Sequence, residues 1–169
     1  MARATQLGED YRGEQGAIGY LLRQTIHAFD TAMETGLRSH GLTSPQFGAL
    51  FVLAAEPGLS AADLARAMGT TPQSANVLVA GMIEIGLVER TPHPTHGRIL
   101  EIYATDEGTK RFQSALPFIR RLESTMTKSL GTAELPIVKR WLVESARALS
   151  GERTRTNTHP KNRARGDGH

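Results

Sequence analysis

The sequence predicts a mainly α-helical fold that contains one small β-hairpin, and three observations support this. Apolar residues recur at steps of three and four through most of the chain, which is the period of a helix with one buried face. Most of these segments open on Ser or Thr and close on Gly, the residues typical of helix starts and ends. Aromatic residues make up only 5% of the 169 residues, which argues against a wide sheet rich in Val, Ile and Phe.

Two helices are predicted in the first third of the chain. The first covers residues 16–40, and its apolar stripe consists of Ile18, Leu22, Ile26, Phe29, Met33 and Leu37. Residues 45–55 form the second, because Thr43 and Gln46 have the spacing of a capping box and Pro45 stands in the first turn. Pro57 and Gly58 follow this helix and end it.

A helix-turn-helix is predicted next. Ser60 opens a short helix that ends at Gly69, and Thr71 opens a second helix that runs to about residue 85, where Gly86 ends it. The apolar face of each helix is Ala61, Leu64, Ala65 and Met68 in the first and Ala75, Leu78, Val79 and Met82 in the second. Two short helices joined by a tight turn that contains glycine are typical of this motif.

The remaining body is predicted as a β-hairpin followed by two helices. Strands over residues 87–91 and 99–104 flank a polar loop over residues 92–97. Thr105 caps a long helix with the stripe Phe112, Leu116, Ile119, Leu122, Met126 and Leu130, and the last helix, from about Glu134, carries Leu135, Val138, Leu142 and Leu149 beside Trp141. Together with the stripe of the first helix, these stripes present more apolar surface than the helix-turn-helix can cover. We therefore expect the three helices to bury this surface against one another and against a second copy of the chain.

The positive charge of the chain is concentrated in its last residues. The whole chain has a formal net charge of +3, whereas residues 1–150 hold 15 basic and 15 acidic residues. The excess comes from Arg153, Arg155, Lys161, Arg163 and Arg165 against Glu152 and Asp167. This tail has almost no apolar residues, so we expect it to be disordered.

Several classes of function are not expected. The absence of cysteine excludes disulfides and thiolate chemistry, and neither a secretory signal nor an apolar run near the ~20 residues of a membrane span is present. We find no phosphate loop, nucleophile elbow or paired carboxylates, so we expect neither an enzyme nor a cofactor. His93 and His96 could suggest a metal pair, but the loop lacks further ligands and a polar loop is the favoured interpretation. We therefore expect a soluble cytoplasmic protein without a metal site or a membrane partner.

One stretch of the sequence resembles a known family. Gly86-Leu87-Val88-Glu89-Arg90, then Arg98, then Thr105-Asp106-Glu107-Gly108 are similar to the G-L-V-x-R, D-x-R and L-T-x-x-G pattern of MarR-family winged helix-turn-helix regulators. The resemblance extends over about residues 16–149. It implies a homodimer that binds pseudo-palindromic double-stranded DNA and releases it when a small, often aromatic, ligand binds between the dimerisation and DNA-binding regions.

The composition of the two ends and the resemblance together imply a domain organisation. Residues 1–15 are expected to be a flexible arm, and residues 16–41 with 106–149 a helical dimerisation region. Residues 43–105 would form the winged helix-turn-helix DNA-binding region, and residues 150–169 the disordered basic tail.

Two departures from the family pattern affect the expected DNA contacts. His96 stands where the family has the aspartate of the hairpin loop, called the wing, and only the arginine of that pair remains, as Arg98. Val77 and Gly81 stand where many relatives carry arginines on the recognition helix. Residues 60–104 hold three arginines against four acidic residues, a net charge of −1. We therefore expect sequence readout by amide, hydroxyl and apolar groups with a shallow dependence of binding on salt.

The candidate DNA-binding residues lie on the two helices and the hairpin. They are Ser60, Thr70, Thr71, Gln73, Ser74, Asn76, Val77, Arg90 and Arg98. Gln and Asn can bind adenine through two hydrogen bonds, and Val can contact the methyl group of thymine. Ser60 and Thr71 stand at helix N-termini, where free amides favour phosphate, and Arg98 is expected in the minor groove or on phosphate.

Structural alternatives stand beside these assignments. Ser60, Thr71, Gln73 and Ser74 could serve only as helix caps, and Arg90 could bridge to Glu89 or Glu101. His27, on the first helix, is a weak candidate for binding the ligand and equally fits an ordinary helix residue.

Together the motifs predict a sequence-specific, dimeric, DNA-binding transcriptional regulator. A repressor released from DNA by a small effector is the favoured form. The alternative is a protein-interaction module with the same fold and weak or no DNA binding, which the acidic balance of the recognition region would suit.

Overall fold

The computed structural model describes residues 13–92 and 100–156, with side chains as far as residue 150. The helices are α1 (Ile18–Leu37), α2 (Ser44–Ala55), α3 (Ala61–Ala67), α4 (Pro72–Glu84), α5 (Asp106–Thr127) and α6 (Glu134–Thr156). A short 3-10 turn (Arg38–His40) follows α1, and strands β1 (Val88–Pro92) and β2 (Leu100–Ala104) form an antiparallel hairpin. The predicted fold class, mainly α with one β-hairpin in a winged helix-turn-helix, is confirmed.

The chain forms two compact units, one ending at Leu122 within α5 and the other beginning at Glu123. The core of the first unit lies where α1, α2, α3, α4, the hairpin and α5 meet. Its fully buried side chains include Leu37, Leu50, Leu64, Val79, Met82, Leu87 and Ile102. The apolar faces predicted for the two helices of the helix-turn-helix are therefore the faces that enter the core.

The start of α2 is held as the sequence predicts. The Thr43 amide donates to Gln46 Oε1 at 2.9 Å, and the Gln46 amide donates to Thr43 Oγ1 at 3.4 Å. This reciprocal pair satisfies two amides that have no partner inside the helix. On α1, Gly36 lies against the ring of Phe118 from α5, and a side chain at position 36 would collide with that ring.

The hairpin is joined to the segment before α3. Its register pairs Val88 with Ala104 and Arg90 with Ile102. The Ile102 amide donates to the Leu59 carbonyl at 2.9 Å, and the Gly58 amide donates to the Ile102 carbonyl at 3.1 Å. Because Gly58 has φ +81°, a glycine suits this turn. The hairpin is thus attached to the helix-turn-helix by backbone hydrogen bonds.

Four residues connect α4, the hairpin and α5, and we call them the junction: Gly86, Leu87, Thr105 and Gly108. Gly86 has φ +72° and ends α4, and Leu87 is fully buried. The Thr105 hydroxyl donates to the Gly86 carbonyl at 2.6 Å and accepts from the Gly108 amide at 3.1 Å, so that it caps α5. A Cβ atom on Gly108 would collide with the Leu87 carbonyl oxygen. These four residues of the family-like motif therefore hold α4, the hairpin and α5 together.

The second unit contains the end of α5 and all of α6. Glu134 begins α6, and its side-chain Oε2 accepts from the Gly131 amide at 2.6 Å. Among the residues of this unit whose side chains are described, the large apolar ones exposed to solvent are Met126, Ile137, Trp141, Leu142, Val143 and Leu149. Across the described part of the chain, no helix combines the length and apolarity that a membrane crossing requires.

Some predicted boundaries differ from the structure. Helix α6 continues to Thr156, whereas the sequence predicted disorder from residue 150. The physical reason is that adding a residue to an existing helix is far easier than starting one, and Glu and Arg are good helix formers. Residues 38–40, predicted as the end of the first helix, form a 3-10 turn after α1. The remainder of the predicted tail, residues 157–169, and residues 1–12 of the predicted arm lie outside the described residues.

Candidate nucleic-acid interface

The N-terminal half of α4 presents a polar surface to solvent. Ala75, Val79 and Met82 are fully buried on its inner side. The exposed residues at this end are Thr70, Thr71, Gln73, Ser74, Asn76 and Val77. We call Gln73, Ser74 and Val77 the outer face of α4. The predicted orientation of this helix is confirmed, and Val77, 71% exposed, is an apolar side chain that the described fold leaves in solvent.

The first turn of α4 is capped by Thr71 and Ser74. Thr71 Oγ1 accepts from the Ser74 amide at 3.1 Å, and the two hydroxyl oxygens lie 2.8 Å apart. Gln73 lies outside this pair with its side chain exposed. Capping therefore accounts for the position of Thr71 and for part of the role of Ser74. The side-chain amide of Gln73 takes no part in this cap and is available to bind another molecule.

Ser60 and Thr70 are placed by the turns at the two ends of α3. Ser60 Oγ accepts from the Asp63 amide at 3.2 Å and donates to Asp63 Oδ2 at 2.5 Å. These bonds, and the ion pair with Arg66, lower the pKa of Asp63, with the Ser60 hydrogen bond as the largest cause. Thr70 is exposed, and its amide donates to the Ala65 carbonyl at 2.9 Å.

Arg90 contacts α4 rather than an acidic residue of the hairpin. Its Nη2 donates to Asn76 Oδ1 at 3.3 Å. The alternative bridge to Glu89 or Glu101 is wrong for this structure, and the register gives the reason. Arg90 is opposite Ile102, whereas Glu89 is opposite Tyr103 and Thr91 is opposite Glu101, so the acidic residues lie on the other face of the hairpin. Sequence reasoning missed the Asn76 contact, which joins residues 14 positions apart.

Arg98 and the two histidines of the wing, His93 and His96, lie outside the described residues. The prediction that Arg98 contacts DNA therefore stays a prediction. Among residues 13–92 and 100–150, no three His, Asp or Glu side chains are grouped as a metal ion would require.

A cavity of about 380 Å³ lies between the end of α2, β2 and the start of α5. Its lining is mostly apolar and consists of Leu50, Leu53, Ala54, Pro57, Tyr103, Ala104, Thr109, Phe112 and Gln113. The Tyr103 hydroxyl donates to Glu101 Oε2 at 2.8 Å, and this bond is the main cause that raises the pKa of Tyr103. An apolar cavity with a few polar groups is the usual form of a site for a small organic molecule.

Sequence reasoning did not find this cavity. The one feature of the sequence that bears on the cavity is the alternation of side chains along β2. Because neighbouring residues of a strand face opposite sides, Tyr103 points away from the side on which Ile102 is buried. His27, the residue predicted weakly for ligand binding, is exposed on α1 and is not part of this lining.

The chain is similar to known transcriptional regulators in sequence. Residues 40–99 match the model of the MarR family. The HTH-type transcriptional repressor Rv2887 of Mycobacterium tuberculosis is 30% identical over 129 residues, which cover 76% of this chain and 93% of that protein.

Solved structures agree with this similarity. The structure of Rv2887 in complex with salicylic acid has a TM-score of 0.60 at 30% identity and covers 76% of this chain and 95% of its own. The regulator PcaV from Streptomyces coelicolor, solved with its natural ligand, has a TM-score of 0.72 at 24% identity over 88% of this chain and 99% of its own. The repressor CouR, bound to a 23-mer DNA duplex, has a TM-score of 0.73 at 23% identity over 84% and 99%. These last two show a shared fold, and the sequence identity to Rv2887 over nearly its whole length shows that the chain belongs to the MarR family of transcriptional regulators.

Proposed function

We propose that the chain is a dimeric, sequence-specific DNA-binding repressor that a small ligand releases from its operator. The observation that carries this proposal is the first half of α4, whose inner face is fully buried while its outer face presents amide, hydroxyl and apolar groups to solvent. A recognition helix that enters the major groove needs this division, because its N-terminal residues meet the edges of bases.

In this proposal the candidate residues other than Asn76 have the following roles, each permitted by its chemistry. Gln73 binds adenine, Ser74 donates to or accepts from a base, and Val77 contacts the methyl group of thymine. Ser60 and Thr71 approach the phosphate backbone at the N-termini of their helices, and Thr70 approaches it with its exposed side chain. Arg90 and Arg98 supply positive charge to phosphate or to the minor groove.

The proposed dimer uses residues 16–41 and 106–149. Helix α1 exposes Ile18 and Ile26, and α6 exposes Trp141, Leu142 and Leu149. Removing large apolar side chains from water is favourable, so a second copy of the chain that covers them would be held in a stable dimer. A two-fold dimer would set its two recognition helices roughly 34 Å apart, the separation of successive major grooves on one face of DNA.

The cavity beside Tyr103 is the proposed effector site. Its volume and apolar lining suit a small, often aromatic, molecule, and the related Rv2887 has been solved with salicylic acid. The ligand releases DNA only if it binds more tightly to the arrangement of helices that does not fit the operator. We infer further that the protein acts in the cytoplasm on chromosomal DNA and catalyses no reaction.

A second candidate is a protein-interaction module that retains the fold without strong DNA binding. The net charge of −1 over residues 60–104 favours it, since phosphate contacts supply much of the affinity of DNA-binding proteins.

A gel-shift assay with the DNA upstream of the protein's own gene separates the two candidates. A repressor gives a discrete shifted band at low salt that unlabelled specific DNA removes and unrelated DNA does not. Absence of any shifted band at low salt would instead support the interaction module. Adding salicylic acid and uncharged phenols to the preformed complex tests the effector, because the proposal expects one of these to reduce the shifted fraction.

A further inference from the structure

Both ends of the Asn76 side chain are used within the protein. Nδ2 donates to the Pro72 carbonyl, one turn earlier on α4, at 3.0 Å. Oδ1 accepts from Arg90 Nη2 at 3.3 Å. Only this orientation of the amide satisfies both partners, because a guanidinium group has donors alone and a carbonyl accepts alone. The side chain therefore joins α4 to β1 of the hairpin.

The hairpin presents Arg90 to this amide. Arg90 shares its face with the buried Ile102, and Glu89 projects from the opposite face. A neutral amide orients the guanidinium and leaves its positive charge uncompensated. A carboxylate would orient the guanidinium as well, but it would also neutralise that charge. A guanidinium group has five donor hydrogens, and the bond to Asn76 uses one of them.

Among the described residues, Arg90 is one of few basic residues near α4, and its charge is not paired with a carboxylate in the way that the charge of Arg66 is. Residues 60–92 contain two basic residues, Arg66 and Arg90. Arg66 forms an ion pair with Asp63 on α3, whereas Arg90 is held by an amide at the N-terminal half of α4. Arg90 therefore offers a full positive charge beside the surface that is proposed to meet DNA.

We propose that Asn76 is a positioning residue, which holds the Arg90 guanidinium beside α4 so that it binds a DNA phosphate, and that Asn76 itself reads no base. This inference rests on the DNA-binding function proposed above. The competing role is the one that the sequence predicted, a contact between Asn76 and adenine. The two roles differ in what they do to base preference and to the dependence of binding on salt.

Base preference is measured by selecting sequences from a randomised duplex pool with the wild-type full-length chain and with Asn76→Ala, Asn76→Asp and Gln73→Ala. A positioning residue leaves the preferred sequence unchanged in both Asn76 variants. Gln73→Ala is the matched control from the same helix, and it should lose discrimination at one base position by about tenfold, as expected for a lost base contact. Thermal unfolding of each variant shows that it is folded.

The salt dependence and a double-mutant cycle test the link to Arg90. Arg90→Ala removes one phosphate contact from each protomer of the proposed dimer. It should weaken binding by about tenfold for each contact, the size expected for a hydrogen bond to a charged group, and lower the magnitude of the salt slope by about two. Asn76→Ala should act in the same direction, and the double variant should be no weaker than Arg90→Ala alone. Asn76→Asp should lose more affinity than Asn76→Ala, because a carboxylate neutralises Arg90 and repels phosphate.

The outcomes separate the inference from the function on which it rests. If the wild type selects no sequence, the proposed function fails and the inference fails with it. If the wild type selects a sequence but Asn76→Ala loses the preference for adenine at one position, or if Asn76→Asp gains a preference for cytosine, Asn76 reads a base and only the inference fails. Additive losses in Asn76→Ala and Arg90→Ala would overturn it as well.

Discussion

The junction and the outer face of α4 lie in the same unit of the chain but differ in what their residues contact. The Thr105 hydroxyl of the junction is bonded to Gly86 and Gly108, and Leu87 is fully buried. Gln73 and Val77 on the outer face are exposed to solvent. Changes at the junction should therefore lower the free energy of unfolding, whereas changes on the outer face should alter DNA binding and leave stability nearly unchanged.

The largest expected effect is at Gly108 of the junction. Gly108→Ala places a methyl group against the Leu87 carbonyl oxygen, so that α5 or the hairpin must shift. We expect the free energy of unfolding to fall by about 3 kcal/mol, at the upper end of the usual cost of overpacking. Chemical denaturation measures this change.

Gly81→Ala is the matched control for this substitution. A Cβ atom at position 81 meets nothing within 4 Å, and Gly81 lies inside α4. Alanine should stabilise the helix there by up to about 1 kcal/mol. Equal effects of the two substitutions would show that the close approach at Gly108 does not hold the junction together.

Thr105 should show a smaller effect of the same kind. Thr105→Val keeps the shape of the side chain but removes the hydroxyl that caps α5 and bonds to the Gly86 carbonyl. We expect a loss of about 1–2 kcal/mol, as for other helix caps, measured by the same denaturation. Thr105→Ser retains the hydroxyl and should recover most of the stability. A serine variant as unstable as the valine variant would contradict the role of the hydrogen bonds.

The outer face of α4 should respond in binding alone. Gln73→Ala and Val77→Ala should leave the free energy of unfolding within about 0.5 kcal/mol of the wild-type value, since substitutions of exposed residues seldom cost more. Each should reduce discrimination at one base position by about tenfold, which is about 1.4 kcal/mol, measured by competition between operator variants. Loss of stability without a change in base preference would erase the difference between the two regions.

How far the sequence predicted these regions depends on the range of the contacts involved. The cap at Thr71 and the buried face with Ala75 and Val79 follow from local spacing, so they could be predicted. The motif at Thr105 and Gly108 was visible, but its physical reason, the approach of Gly108 to Leu87, needs the folded chain. The Asn76–Arg90 hydrogen bond and the cavity beside Tyr103 join elements that only tertiary structure brings together.

The smallest expected effect concerns the basic tail. Replacing Lys161, Arg163 and Arg165 with Gln in the full-length chain should weaken binding to unrelated duplex DNA and lower the magnitude of its salt slope, by at most about 0.9 for each phosphate contact that is lost. The preferred operator sequence should stay the same, because phosphate contacts carry no base information. Unchanged slopes in titrations over a range of salt would remove the tail from the DNA interface.

The central claim is that a dimer of this chain reads DNA through two copies of α4. Hydroxyl-radical and methylation footprinting on a selected operator tests this claim most directly. The claim predicts protected major-groove bases in two segments whose centres lie about 10 base pairs apart, with Gln73→Ala relieving protection at the same base of each segment. Protection of a single segment, or none at low salt, would contradict it.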